Sequence, residues 1–412
     1  MSLKIKHMFK RFGRAISNIS FKLYRKTFMA SGTRNVIFIV VVFSIGFGIY
    51  SHFYWEETYN QFIGTFVGLA TAIFIGSLAH LISLAFEDRN KVTEDFRLIA
   101  DTYTNESLRQ KVNFLDGTSI NFAYKGEPTI IESIKVVDNN KKLYLPTEVM
   151  SSNFVKLFNA HRGSYKKNVY TVRVDDVKED GKTLTVYTSR STYFNHLISN
   201  RVMDFPFAKS LTLRSLYEPG PDITPLKTSF FSNHLGIIGI IKTTDNFYIL
   251  NQRSKTGSTS KDLLVSPVAF GLTAGVKEDV TQEYIEQKIL DKTNERLRLF
   301  KEDKENHVTK ITHIGYGRDV YEAGKPHFFY LIEINLDKDD YLRRFYNKNC
   351  TKHMIDYNSK AFAIKPDEFG FKKGYFHVKH HNMKHKVKTY LMKAETNLIM
   401  NLKCLIDLEL FK

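Results

Sequence analysis

The chain has 412 residues, with 60 Lys and Arg against 43 Asp and Glu, for a formal charge of +17. That length suffices for a membrane segment plus one or two domains with their own cores, and the surplus charge points to anionic partners: phospholipid headgroups, nucleotides or nucleic acids. Its two cysteines, Cys350 and Cys404, exclude a disulfide framework and a cysteine-type zinc cluster, as suits a reducing cytosol.

Residues 1–34 hold nine Lys and Arg and no acid, and Ile5, Met8, Phe9, Phe12, Ile16, Ile19 and Leu23 recur among them at helical spacing. This predicts a basic amphipathic helix on the inner leaflet. Residues 36–54 and 60–86 are free of charge, and Trp55–Tyr59 joins them with Glu56 and Glu57 as its only charges. Each run is long enough to approach or exceed the hydrocarbon thickness, so 35–86 reads as a two-helix transmembrane hairpin. The lysine and arginine bias places the N-terminus, and everything after Phe86, in the cytoplasm. Gly64, Gly68, Ala72 and Gly76 recur every four residues. They line one helical face, for packing within the hairpin or between copies of the chain.

Residues 87–114 read as a helix leaving the membrane. From 115 to about 190 short alternating runs predict mostly strands, with hairpin turns at Asp138-Asn139-Asn140 and Asp180-Gly181. The sequence leaves open whether 115–225 is a separate domain. The stretch 218–225, with Pro219, Gly220, Pro221 and Pro225, is a loop-rich break. Residues 234–254 then read strand, turn at Thr244-Asp245-Asn246, strand. Residues 265–297 read strand, Gly-containing loop, amphipathic helix; 312–336 read strand, polar loop, apolar strand.

This order resembles a Nudix fold over about 230–370. The segments that carry the likeness are Asn251-Gln252-Arg253-Ser254, Thr273-Ala274-Gly275-Val276, and the run from Arg318-Asp319 through Gly324-Lys325-Pro326-His327-Phe328-Phe329. The resemblance implies a cytoplasmic α+β domain, 226–412, with a mixed sheet and flanking helices, placed after the membrane hairpin. An active Nudix box sets paired glutamates on one helix face to hold Mg²⁺ on a pyrophosphate. Counted from Gly275, those places hold Thr281, Ile289, Leu290, Thr293 and Asn294. Neither a catalytic residue nor a metal or other cofactor is therefore expected. What remains is a nucleotide pocket lined by Arg253, Arg318, Lys325, His327 and Asn251, with Tyr193 and Phe194 at its rim.

Two apolar spans joined to a degenerate Nudix-like sensor are similar to the transmembrane–Nudix effectors of bacterial cyclic-oligonucleotide anti-phage (CBASS) systems. The resemblance implies a cyclic di- or trinucleotide ligand, homo-oligomerisation, and disruption of the inner membrane. It does not imply duplex DNA or RNA binding. The alternatives are a membrane-anchored Nudix hydrolase of a nucleoside diphosphate compound and a membrane scaffold. Residues 372–388, rich in Lys and His, read as an anion-facing basic loop, and 389–411 as a helix that closes the domain or pairs between subunits.

Overall fold

The computed structural model describes residues 102–412 apart from 161–167, 209, 254–261, 298–305, 347–357 and 384–385. Its centre is an eight-stranded mixed sheet. The main path runs β13 (Asn358–Ile364), β8 (Tyr248–Arg253), β7 (Gly236–Lys242), β12 (Lys325–Ile334), β11 (Val308–Asp319), β3 (Lys125–Ile131). Two short strands add to it: β9 (Leu264–Val265) on β8 and β10 (Val268–Gly271) on β7. The pair β7–β12 at the middle is parallel, and the other pairings are antiparallel.

Both faces of this sheet are covered, so its central strands are apolar at successive positions rather than alternate ones. In β7, Ile237 and Ile241 enter one core and Ile238 and Ile240 the other; in β12, Phe328, Tyr330 and Ile332 oppose Phe329 and Leu331. The first face carries Ile285 and Ile289 of α5 (Gln282–Leu297) and Tyr341, Leu342 and Phe345 of α6 (Lys338–Phe345). It also receives the sheet of β4 (Ser133–Leu143), β6 (Thr183–Thr192) and β5 (Tyr170–Asp180). The second face is sealed by Leu398, Leu402 and Leu405 of α7 (Thr396–Asp407). Beside α7 lie the hairpin β1 (Arg109–Asn113)–β2 (Ser119–Ala123) and the sheet β14 (Phe369–Lys372), β15 (Tyr375–His381), β16 (Val387–Met392). Four short helices, α1 (Glu148–Ser152), α2 (Phe154–Asn159), α3 (Tyr193–Leu197) and α4 (Leu213–Tyr217), form a further cluster around Met150, Leu157, Phe158 and Leu197.

The expected fold class is corrected. The described chain is a predominantly β α+β unit, and none of its helices is long and apolar enough to cross a membrane. The segment 35–86, with Gly64, Gly68, Ala72 and Gly76, lies outside the described residues, as does the basic stretch 1–34. Three local expectations also change. Residues 106–113 form a short 3-10 turn and strand β1 instead of helix, because Gln110 and Val112 pair with Phe122 and Ile120. Asp138–Asn140 lies within β4: pairing to β6 jumps from Asp138 to Leu143, so the chain bulges and continues. Residues 369–392 form a three-stranded antiparallel sheet in place of the loop expected at 372–388 and the helix expected from 389, since Phe369, Phe376, Val378 and Met392 alternate into the core, and the helix begins at Thr396. The other expected strands, the turn at Asp180–Gly181 and the helix after Gly275 are where the patterns put them.

Candidate functional site

The start of β7, the start of β12 and the end of β11 meet at one edge of the central sheet. Pairing sets His327 opposite Gly236 and Arg318–Asp319 opposite Pro326–Lys325. Two glycines make room there. A Cβ at Gly236 would collide with the His327 ring, and one at Gly271 with the His234 ring. The first turn of α7 meets the same edge. Glu395 lies 3.6 Å from Arg253, the Thr396 hydroxyl 3.4 Å from Asp319 Oδ2, and Asn397 accepts from the Tyr124 hydroxyl at 2.9 Å.

Of the cations of this edge, Arg253 and Lys325 are nearly buried and Arg201 is partly exposed, and each is held by a carboxylate. Lys325 Nζ lies 2.7 Å from Glu322 Oε2, and the same carboxylate takes Arg201 on its other oxygen. Asp319 carries a pKa pushed up to about 6, chiefly by burial; the amide of Tyr321 and the charges of Lys325 and Arg201 act against that rise. Burial, then the charge of Lys325, lowers His234 to about 3 and takes His327 well below the ordinary histidine range. Both rings are therefore neutral at pH 7. Nδ1 of His327 stands 3.0 Å from the Tyr124 hydroxyl, and because that hydroxyl donates to Asn397, the ring nitrogen is the donor between them. The His234 ring meets His196 edge to face at 5.2 Å, and Tyr193 lies 6.5 Å beyond His196.

The expected pocket residues thus fall into groups. Arg253, Lys325 and His327 gather at this sheet edge with Arg201, Glu322, Asp319, His234 and Glu395. Arg318 is buried and directed elsewhere: its Nε donates to the Gly324 carbonyl and Nη2 to that of Thr224, both at 2.8 Å, which fastens the proline-rich break onto the sheet. Asn251 is buried inside β8, between Ala361 and Val265 of the neighbouring strands. Phe194 packs against Phe158 at 4.8 Å, in the helical cluster. Arg201 and His234 were not singled out from sequence; they lie outside the three segments of the resemblance and reach the edge only through the tertiary fold.

The loop before α5 is closed by a different arrangement. Arg190, fully buried, grips Asp138 with both Nη atoms at 2.7 Å, and it also donates to the carbonyls of Gly275, Glu278 and Ser189. Burial pushes the Asp138 carboxyl up, but hydrogen bonds from Arg190, Thr188 and the Val280 amide hold it below the usual carboxylate range. On α5 itself Ile289 and Thr293 face the core, whereas Glu283, Glu286 and Asp291 are exposed. Gln282 donates to Glu286 and Gln287 to Asp291, both at 2.8 Å. Among the described residues no three His, Cys, Asp or Glu side chains gather to hold a metal ion. The residues on this helix do not fit a Nudix-type divalent cation.

No protein family and no curated protein matches this sequence.

Proposed function

We propose that this chain senses an anionic nucleotide without hydrolysing it, and acts as a bacterial inner-membrane effector in antiviral defence. The ligand class is a cyclic di- or trinucleotide, and its binding drives self-association. One observation carries the reading: Arg201, Arg253 and Lys325 converge, each against a carboxylate, on the sheet edge where α7 begins. A phosphate can replace Glu322 or Glu395 as the partner of these cations, and the partial positive charge of the α7 N-terminus favours the exchange. The mixed sheet between α5 and α7 supports the Nudix-like likeness, and the Arg190 clamp on the Gly275 loop is consistent with binding without metal-dependent turnover. The uncharged runs 36–54 and 60–86 support an output at the bilayer.

The test uses the full chain in detergent, titrated with a panel of cyclic di- and trinucleotides with and without Mg²⁺, following the melting temperature. A ligand-specific rise that needs no Mg²⁺, with the nucleotide recovered intact, is the expected result. Lys325→Ala and Arg201→Ala should remove it. No rise with any member of the panel overturns the sensor reading, and Mg²⁺-dependent breakdown of a nucleoside diphosphate compound replaces it with a hydrolase.

A further inference from the structure

The sheet β14–β15–β16 has two unlike faces. Phe369, Phe376, Val378 and Met392 point inward and join the α7 core. Phe376 stacks on Phe369 at 5.4 Å and meets Phe371 at 5.0 Å, which makes the inner face rigid. The register places Lys372 beside Tyr375, His377 beside Leu391, Lys379 beside Thr389 and His381 beside Val387 on the other face. Lys372 and Lys379 stand on this face, with Lys393 just past β16 and Lys373 and Lys386 in the flanking turns; all five are exposed, and none is ion-paired among the described residues. From Phe369 to Lys393 the sequence has no acidic residue. Among these lysines stand Leu391, Val387 and Tyr375, which are 62%, 49% and 44% exposed.

We infer that this face docks on an anionic phospholipid surface, with its lysines at the headgroups and Leu391, Val387 and Tyr375 in the interfacial layer. The exposed lysines outnumber the two carboxylates met there, Asp116 beside Gly370 and Glu368 on His381, so the face complements a negative leaflet, and the long lysine stems let the charge remain in water while the apolar side chains sink. Two exposed aliphatic side chains, Val387 and Leu391 on the edge strand β16, favour lipid over nucleic acid. A single-stranded nucleic acid needs a row of aromatic platforms to stack its bases, and Tyr375 is the one exposed ring among the described residues of this face. The inference does not depend on the nucleotide proposed above.

A local reporter separates this contact from any other attachment of the full chain to lipid. Leu391→Trp, made in a Trp55→Phe background, puts a single indole on the face. The chain is mixed with phosphatidylcholine vesicles carrying brominated acyl chains, with and without phosphatidylglycerol. Quenching is expected only with phosphatidylglycerol and should be reversed by high salt. Changing Lys372, Lys379 and Lys393 to Gln should weaken it about fivefold per lysine. Val387→Trp provides a second reporter should the first disturb the strand, and an unchanged thermal melt shows that each variant folds. Absence of quenching in both vesicle types overturns the inference. Equal quenching in both, unaffected by the Gln substitutions, overturns the role of charge. An indole response to single-stranded RNA without lipid, and none to vesicles, assigns the face to nucleic acid instead.

Discussion

Arg190 and Lys325 are both nearly buried cations, yet the protein holds them in different ways. All five guanidinium N–H groups of Arg190 meet an acceptor: two on Asp138 and the carbonyls of Gly275, Glu278 and Ser189. The bidentate geometry and fixed carbonyls leave nothing for a ligand to replace. Lys325 has a rotatable ammonium and divides Glu322 with Arg201 at a sheet edge that also carries Arg253, Glu395 and two neutral histidines. Counter-charge that is shared between mobile side chains can be exchanged for an incoming anion. A saturated arginine thus marks structure, whereas a shared carboxylate marks a place where binding can occur.

The sharpest way to break this comparison is Arg190→Ala. It leaves the Asp138 carboxylate buried beside the loop and should cost about 3–5 kcal/mol in urea unfolding. Replacing Asp138 with Leu in the same chain should recover much of that loss, since an absent pair is cheaper than half of one. A loss below about 1 kcal/mol for the single variant would remove Arg190 from its structural role.

The next effect appears on acidification. His313 is fully buried, stacked on Tyr330 at 4.6 Å, and lowered to about 3 by burial, as is His234. The unfolded chain takes up these protons near pH 6.5 and the folded chain does not, so stability is complete above that pH and falls as pH drops towards 3. His313→Phe keeps the ring contact and should lower the slope of unfolding free energy against pH by one proton in that window.

Asp319 acts with the opposite sign. Its folded pKa of about 6 exceeds its unfolded value, so the protonated form favours folding, and that contribution disappears as pH rises from about 4 through 6. Asp319→Asn keeps an acceptor for the Tyr321 amide and should raise stability at pH 7 by up to about 3 kcal/mol, with no gain at pH 4. The smallest stability change belongs to Lys325→Ala, about 1–2 kcal/mol because Arg201 remains to neutralise Glu322, although affinity for the proposed nucleotide should fall at least about tenfold. Isothermal titration beside a thermal melt separates the two. A large stability loss with unchanged affinity would place Lys325 with Arg190.

Much of the central sheet is legible in the sequence because its strands are buried on both faces. Runs such as Gly236–Lys242 and Phe328–Ile334 leave no other assignment, and Thr244-Asp245-Asn246 marks the turn between β7 and β8. Arg253, Lys325 and His327 could be named because they end or begin these strands. The clamp could not. Arg190 and Asp138 lie 52 residues apart on a parallel pair, and their union depends on the β4–β6 register, which no local pattern announces. Asp138 even resembles a turn residue, and only its hydrogen bonds make it part of a bulge. Arg318 misleads for a related reason: position at a strand end does not reveal that two carbonyls already receive its guanidinium.

The parallel pair at the heart of the sheet has a kinetic consequence. Gly236 finds His327 only after about 90 intervening residues have been gathered in, so the central contact carries one of the larger loop-closure penalties in the domain. Until it forms, the two most apolar strands of the chain both present open edges. The unit should therefore fold slowly for its size, and its nascent form should depend on chaperones at exactly the strands that later make it rigid.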